Sequence, residues 1–163
     1  MKTLLILRHA KSSWDEPAVP DHDRPLTERG KKDAKRIGQL LQERGLTPDL
    51  IVSSTAKRAR KTAVKLARTS GFASQVETTK RLYLADPGRL VDVLREVNDE
   101  RATVLVVAHN PGLEELVTKL TGQAEHLPTA ALAHVSLDIE SWQDLSVASA
   151  GKLVQLWRPK ELP

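Results

Sequence analysis

The sequence predicts an α/β fold, a three-layer α/β/α sandwich whose central sheet is mostly parallel and ends in an antiparallel edge. Segments of strand length alternate with segments whose apolar residues recur at helical spacing, as in parallel sheets covered by helices. The most apolar strand-like segment, Thr103–Ala108, should lie centrally because strands buried on both faces are hydrophobic throughout. The last two strand-like segments have no helix between them, which favours an antiparallel edge.

The local patterns place each element in order along the chain. Thr27 can cap a first helix that should end at Gly45, since glycine readily adopts the backbone conformation that closes a helix. A second helix should begin at a cap formed by Ser54 or Thr55 and end near Gly71. Strands are expected at residues 3–7, 49–53, 76–79, 103–108, 132–139 and 152–157.

Two further helices complete the predicted pattern. Pro87 and Gly88 should open a third helix, because proline fits the first helical position, and its apolar periodicity continues to Val97. A fourth helix should follow the central strand and end at Gly122. Two closing strands then form the expected antiparallel edge.

Composition limits the classes of function. A chain of 163 residues with 40% hydrophobic residues suits one domain over residues 1–163. The absence of cysteine excludes a thiol nucleophile and thiolate metal sites, and it suggests the cytoplasm as the compartment. A net charge of +4 suits an anionic partner, and the 3% aromatic content favours small phosphorylated ligands over nucleic acid. No apolar run is long enough to predict a membrane span.

Polar side chains follow three of the predicted strands. Arg8 and His9 end the first, Arg58 lies just beyond the second, and His109 follows the fourth. Ligands of open parallel sheets bind outside the carboxyl ends of the strands, so these residues can converge on one crevice. Guanidinium groups suit phosphate oxygens, and a neutral imidazole is a competent nucleophile. Read singly, a histidine at a strand end more often packs or caps backbone groups than reacts.

Four ordered motifs carry a resemblance to a known family. The chain resembles the histidine phosphatase superfamily, the relatives of the phosphoglycerate mutases, over nearly its whole length. Ala10 stands where the family signature usually has glycine. The motifs are LRHAKSSWD at residues 7–15, RPLTERG at 24–30, SSTAKRARKTA at 53–63 and VAHNPG at 107–112.

Within that family the chain is most similar to the SixA-type phosphohistidine phosphatases, which lack a large cap insertion. This resemblance implies a phosphoglycerate mutase-like fold and a phosphatase whose nucleophile is His9. It implies that Arg8 and Arg58 clamp the phosphoryl oxygens, that His109 supports the phosphate, and that Arg24 lines the pocket. The implied substrate is phosphohistidine on a protein, hydrolysed through a covalent phosphohistidine enzyme intermediate, and the resemblance implies no metal or other cofactor.

Several alternatives remain open from the sequence. Ser12 lies where the family places a phosphate-contacting hydroxyl, although Ser13 in its place, or a simple turn role, is nearly as well supported. Asp86 is a possible proton donor and is equally explained as a helix cap before Pro87. With Asp86 as the acid, the chain would be a small-molecule phosphomonoesterase on the same fold. A second alternative is a non-catalytic phosphate-binding module. The partner is a phosphorylated protein or a small phosphorylated substrate, and the oligomeric state is left open.

Overall fold

A computed structural model describes residues 1–163 and contains six strands and four α-helices. The strands are β1 (Lys2–Arg8), β2 (Leu50–Ser54), β3 (Glu77–Thr79), β4 (Thr103–Ala108), β5 (Leu132–Leu137) and β6 (Gly151–Trp157). The helices are α1 (Glu28–Glu43), α2 (Lys57–Ser70), α3 (Pro87–Leu94) and α4 (Gly112–Thr121).

All six strands form one sheet in the order β3-β2-β4-β1-β5-β6. The first four are parallel, and β5 runs antiparallel to both β1 and β6. β4 lies between β2 and β1, so its predicted central position is confirmed. The mostly parallel sheet with an antiparallel edge is confirmed as well.

Each face of the sheet carries its own hydrophobic core. Leu4 and Ile6 of β1 pack on the side of α3 and α4, whereas Leu5 and Leu7 pack on the side of α1 and α2. This alternation follows from the two-residue period of a strand. The predicted three-layer sandwich is therefore confirmed.

The ends of α1 are those that the sequence predicts. Thr27 Oγ1 accepts a hydrogen bond from Gly30 N at 3.0 Å, and Gly45 ends the helix with a φ of +65°. At 16 residues α1 is the longest helix, and none of the helices is both long and apolar enough to cross a membrane.

The predicted cap of α2 is wrong. The N-cap of the helix is Ala56, the residue after Thr55, and no side chain caps the helix. Ser54 Oγ accepts from Ala56 N at 3.2 Å and also contacts His109 Nε2, while Thr55 Oγ1 contacts His22 Nε2 at 2.8 Å. Both hydroxyl groups are engaged by histidines and are therefore not free to cap the helix.

Two predicted boundaries extend too far. α3 ends at Leu94 because the next bonds, from Glu96 N to Val93 O and from Val97 N to Leu94 O, span three residues and tighten the chain. Val97 nevertheless packs against the core, which explains its apolar periodicity. β5 ends at Leu137, two residues before its predicted end.

We expect Gly30→Ala to destabilise the fold. A Cβ at Gly30 would lie 2.2 Å from the carbonyl oxygen of Lys11, a backbone atom that cannot move without displacing the segment after β1. The loss should be about 1–3 kcal/mol in the free energy of unfolding, measured by urea denaturation.

Gly88→Ala is the matched control for this change. It also lies in the first turn of a helix, but its Cβ would meet only Asp86 Oδ1 at 3.5 Å, an ordinary contact. We expect it to be neutral or to stabilise by up to about 1 kcal/mol, because alanine favours helix more than glycine does. Equal losses in the two variants would contradict this account of the contact at Lys11.

Candidate active site

The pairing of β1 with β4 brings two histidines together. Arg8 is aligned with Ala108 in the parallel register, so His9 and His109 follow the two strands side by side. His9 N donates to Ala108 O at 3.2 Å, and the ring centroids of the two histidines lie 5.2 Å apart. The sheet itself therefore positions the pair.

β2 and the helix that follows it complete the same edge. Arg58 lies in the first turn of α2, and its side chain is only 3% exposed. Thr62 links this turn to the β1 segment, because its Oγ1 accepts from Ala10 N at 3.0 Å and donates to Arg58 O at 2.7 Å. Ala10 has a negative φ, so the local backbone accepts alanine where the family signature has glycine.

A cavity of about 460 Å³ opens beside the two histidines. Six of the residues predicted for the phosphate site line it: Arg8, His9, Ser12, Arg24, Arg58 and His109. The lining includes four cations and one carboxylate, which are Arg8, Lys11, Arg24, Arg58 and Asp21. An anionic ligand suits this balance of charge.

Asp86 is the exception among the predicted residues. It does not line the cavity, and its Oδ1 accepts from Arg89 N at 2.9 Å as the N-cap of α3. Of the two interpretations that the sequence leaves open, the structure provides the helix cap. The short α3 needs this bond because its first backbone N–H groups have no partner within the helix.

The imidazole of His9 is held in one tautomer. Its Nδ1 lies 2.8 Å from Ala10 O, and a carbonyl oxygen only accepts, so the proton is on Nδ1. The lone pair is therefore on Nε2, where it accepts a long hydrogen bond from Arg58 Nε at 3.4 Å. Burial, together with the charges of Arg58, Arg8 and Arg24, lowers the pKa of His9 from 6.5 to about 4. The ring is neutral at neutral pH, and its lone pair is directed at Arg58, which also lines the cavity.

His109 presents a buried nitrogen without a partner. Its Nε2 contacts Ser54 Oγ at 2.8 Å, whereas its Nδ1 is buried and has no hydrogen-bond partner in the protein. Burial and the neighbouring His9 and Arg58 lower the pKa of His109 to about 3. A buried polar atom of this kind is usually satisfied by a ligand or by water. His109 lines the cavity, but this nitrogen itself lies beneath the cavity surface.

Asp21 is the principal residue that the sequence interpretation missed. Its Oδ1 accepts from Arg24 Nε and Nη2, both at 3.1 Å, and its Oδ2 accepts from Arg58 Nη2 at 3.0 Å and from the Tyr83 hydroxyl. Its main-chain oxygen also accepts from Arg58 Nη1 at 2.7 Å. Asp21 thus aligns both guanidinium groups. The only local signal in the sequence is an acidic residue three positions before Arg24, a common spacing.

The carboxylate of Asp21 is ionised at neutral pH. Partial burial opposes ionisation, but the hydrogen bonds from Tyr83 and Arg58 lower the pKa of Asp21 to about 2. Ser12 completes the arrangement, because Arg24 Nη1 donates to Ser12 Oγ at 2.6 Å. The carboxylate is therefore an acceptor in this cavity, and near pH 7 it carries no proton to donate.

A model of the histidine phosphatase superfamily (branch 1) matches residues 4–90. The chain belongs to the histidine phosphatase superfamily. An uncharacterized chloroplast protein of Arabidopsis thaliana is 34% identical over 152 residues, which are 88% of this chain and 70% of the relative. An uncharacterized protein of Mycobacterium leprae is 32% identical over 157 residues, which are 88% of this chain and 94% of that relative.

Solved structures of histidine phosphatases share the fold along nearly the whole chain. The protein histidine phosphatase SixA complexed with tungstate has a TM-score of 0.84 at 27% identity and covers 99% of both chains. SixA from Agrobacterium tumefaciens has a TM-score of 0.82 at 27% identity, covering 97% of this chain and 98% of that one. A mycobacterial glucosyl-3-phosphoglycerate phosphatase shares the fold alone, with a TM-score of 0.69 at 21% identity and coverage of 94% and 97%. This histidine phosphatase is therefore a hydrolase, and a histidine nucleophile is typical of the family.

We expect the ring of His9 to titrate with a midpoint near pH 4 in the free protein. NMR of the ring Cε1–H measures this midpoint, and the signal missing from His9→Gln identifies the resonance. The pKa of His9 in the folded state lies below its ordinary value of 6.5, so the unfolded chain takes up the proton first as the pH falls. The free energy of unfolding is therefore highest above pH 6.5 and decreases until the pH reaches about 4. Between those limits the wild type should lose up to about 3 kcal/mol more than His9→Gln. A midpoint near 6.5 would contradict the burial and charge argument.

Proposed function

We propose that this phosphatase hydrolyses phosphohistidine on a protein through a phosphohistidine intermediate at His9. The observation that carries the proposal is a neutral imidazole in the wall of a cavity lined by four cations, with its Nε2 lone pair held only by a 3.4 Å hydrogen bond from Arg58 Nε. A nucleophile toward phosphorus needs such a lone pair, and the oxygens of a phosphoryl group need such donors. The similarity to SixA, whose structure holds tungstate, supports the same chemistry.

The proposed first step transfers the phosphoryl group to His9. The Nε2 lone pair forms a bond to phosphorus while the P–N bond of the substrate breaks, and its electron pair goes to the leaving nitrogen. The His9 ring then carries a positive charge, which the bond from Nδ1–H to Ala10 O stabilises. In the second step water attacks phosphorus, the P–Nε2 bond breaks, its electron pair returns to Nε2, and the products are inorganic phosphate and a proton.

The proposed phosphate clamp uses groups already aligned in the cavity. Arg8 and Arg58 would contact the phosphoryl oxygens, Arg24 and Ser12 would line the site, and a shift of the His109 ring would bring its buried Nδ1 to an oxygen. Ser54 Oγ already accepts from Ala56 N, so its proton is available to Nε2 of His109, and Nδ1 can then be the donor. Donors fixed before the reaction stabilise charge without reorganising, which is the main source of catalysis in phosphoryl transfer.

The carboxylate chemistry favours a P–N substrate over a P–O ester. An alkyl phosphate needs a proton on its leaving oxygen, and Asp21, the only carboxylate that lines the cavity, has a pKa of about 2 and is ionised. Phosphohistidine requires no such donor, because its ring can be protonated beforehand and leave as neutral imidazole. Asp86 is engaged as a helix cap.

We expect kcat/KM for a phosphohistidine peptide to exceed that for a simple alkyl phosphate by about 10²-fold or more, the usual contribution of a general acid. Phosphate release from both substrates at equal ionic strength measures this ratio. A preference for the alkyl phosphate that Asp86→Asn removes would instead establish the small-molecule phosphomonoesterase. Binding of phosphopeptide without turnover would establish the non-catalytic module.

Replacing the proposed nucleophile should abolish turnover and leave the fold intact. We expect His9→Ala to lower kcat on a phosphohistidine peptide by at least about 10³-fold. His134→Ala is the control, because His134 lies on β5 outside the cavity, and it should retain wild-type kcat. Circular dichroism checks folding of both variants. Retained turnover in His9→Ala would remove His9 from the mechanism.

A further inference from the structure

Apolar side chains border the mouth of the catalytic cavity. Only four large hydrophobic residues of the chain are exposed, and two of them, Trp14 and Leu84, line this cavity with 73% and 58% exposure. The guanidinium of Arg24 lies 3.5 Å from the centre of the Trp14 ring, which holds that side chain at the rim. Exposed apolar groups gathered around one opening are typical of an interaction site.

Leu84 is an unusual residue for its position. Its φ is +51°, in the left-handed region that favours glycine and asparagine over leucine. Its side chain is mostly exposed, so it gains little from core packing. Neither backbone preference nor burial in this chain accounts for leucine here, whereas contact with a bound partner does.

Two grooves of opposite character extend from the cavity. A groove of about 390 Å³ shares Lys11 and Thr129 with the cavity, and its lining includes Lys160. Its other charged side chains largely offset one another, since Arg29 pairs with Asp33 and Arg158 pairs with Glu161. Lys11 and Lys160 make no ion pair. In this basic groove both ammonium groups can therefore pair with acidic side chains of a partner.

The second groove shares Arg24 with the cavity and carries three carboxylates, Asp15, Glu16 and Asp23, against two cations. A uniformly anionic polymer such as nucleic acid would meet repulsion there. A protein surface can instead direct an acidic side chain to the basic groove alone. The opposite signs on the two sides of the mouth therefore favour a protein.

We propose that the rim of Trp14 and Leu84, together with the basic groove at Lys11 and Lys160, docks a protein that presents its phosphohistidine beside apolar and acidic side chains. This inference rests on the proposed function and adds the features that the substrate must carry. Apolar contact at the rim would provide affinity, and the basic groove would set the orientation. Small phosphoramidates carry neither apolar nor acidic flanking side chains, so they gain no added affinity from these two features.

The test uses three short phosphohistidine peptides of equal length, flanked by leucine and glutamate, by leucine and lysine, or by alanine alone. We expect wild-type kcat/KM to be at least about 10-fold higher for the leucine–glutamate peptide than for the alanine peptide, a difference of about 1.4 kcal/mol. Leu84→Asn should remove most of that preference without disturbing the backbone, because asparagine tolerates the left-handed conformation.

Lys160→Glu should reverse the charge preference, so that the leucine–lysine peptide becomes the better of the two leucine substrates. Lys152→Glu is the matched control, since Lys152 is exposed at the opposite end of the sheet, and it should behave as wild type. Raising the ionic strength should weaken the glutamate preference in the wild type.

The possible failures are distinguishable. If the wild type hydrolyses all three peptides and phosphoramidate with equal kcat/KM, the docking surface is wrong and the proposed function stands. The docking surface is also wrong if Leu84→Asn and Lys160→Glu both keep the wild-type preferences. If the wild type hydrolyses neither the peptides nor phosphoramidate, the proposed function fails, and the inference that rests on it fails too.

Discussion

The parallel pairing of β1 with β4 is the constraint on which the candidate site depends. With Arg8 aligned to Ala108, the first residues after the two strands are the two histidines, and β2 adds Ser54 from the other side of β4. A slip of one residue would turn His9 to the opposite face of the sheet and separate it from His109. The hydrophobic layers on both faces and the strand hydrogen bonds resist such a slip, so the stability of the fold and the geometry of the site share one cause.

The electrostatics of the cavity follow from this placement. Burial is the largest cause of the low pKa of His9, and the guanidinium groups that would hold a phosphoryl group lower that pKa further. Such a concentration of cations is costly without a counter-charge, and Asp21 provides one while it aligns Arg24 and Arg58. A phosphoryl dianion would add further partners to the same guanidinium groups. Binding and nucleophilicity thus arise from one arrangement of charge.

The fold and half of the residues that line the cavity could be predicted from the sequence, because strand ends and motif residues have fixed positions along the chain. Asp21 and Tyr83 could not be, since they lie in segments without periodicity, and their contact joins residues 62 positions apart. Ser54 illustrates a second limit. Its hydroxyl suits a helix cap as well as a bond to His109, and only the three-dimensional position of the histidine decides between them. Local pattern identifies the residue types that a site needs, and side-chain geometry assigns their partners.

The central claim is that Nε2 of His9 transiently carries the phosphoryl group. Rapid quenching during turnover of a phosphohistidine peptide, followed by mass spectrometry of the digested enzyme, tests it directly. The account predicts a phosphoryl adduct on His9 that is stable in base, is lost in acid and is absent from His9→Ala. Turnover at the wild-type rate with no adduct at any time point, or with the adduct on another side chain, would contradict it.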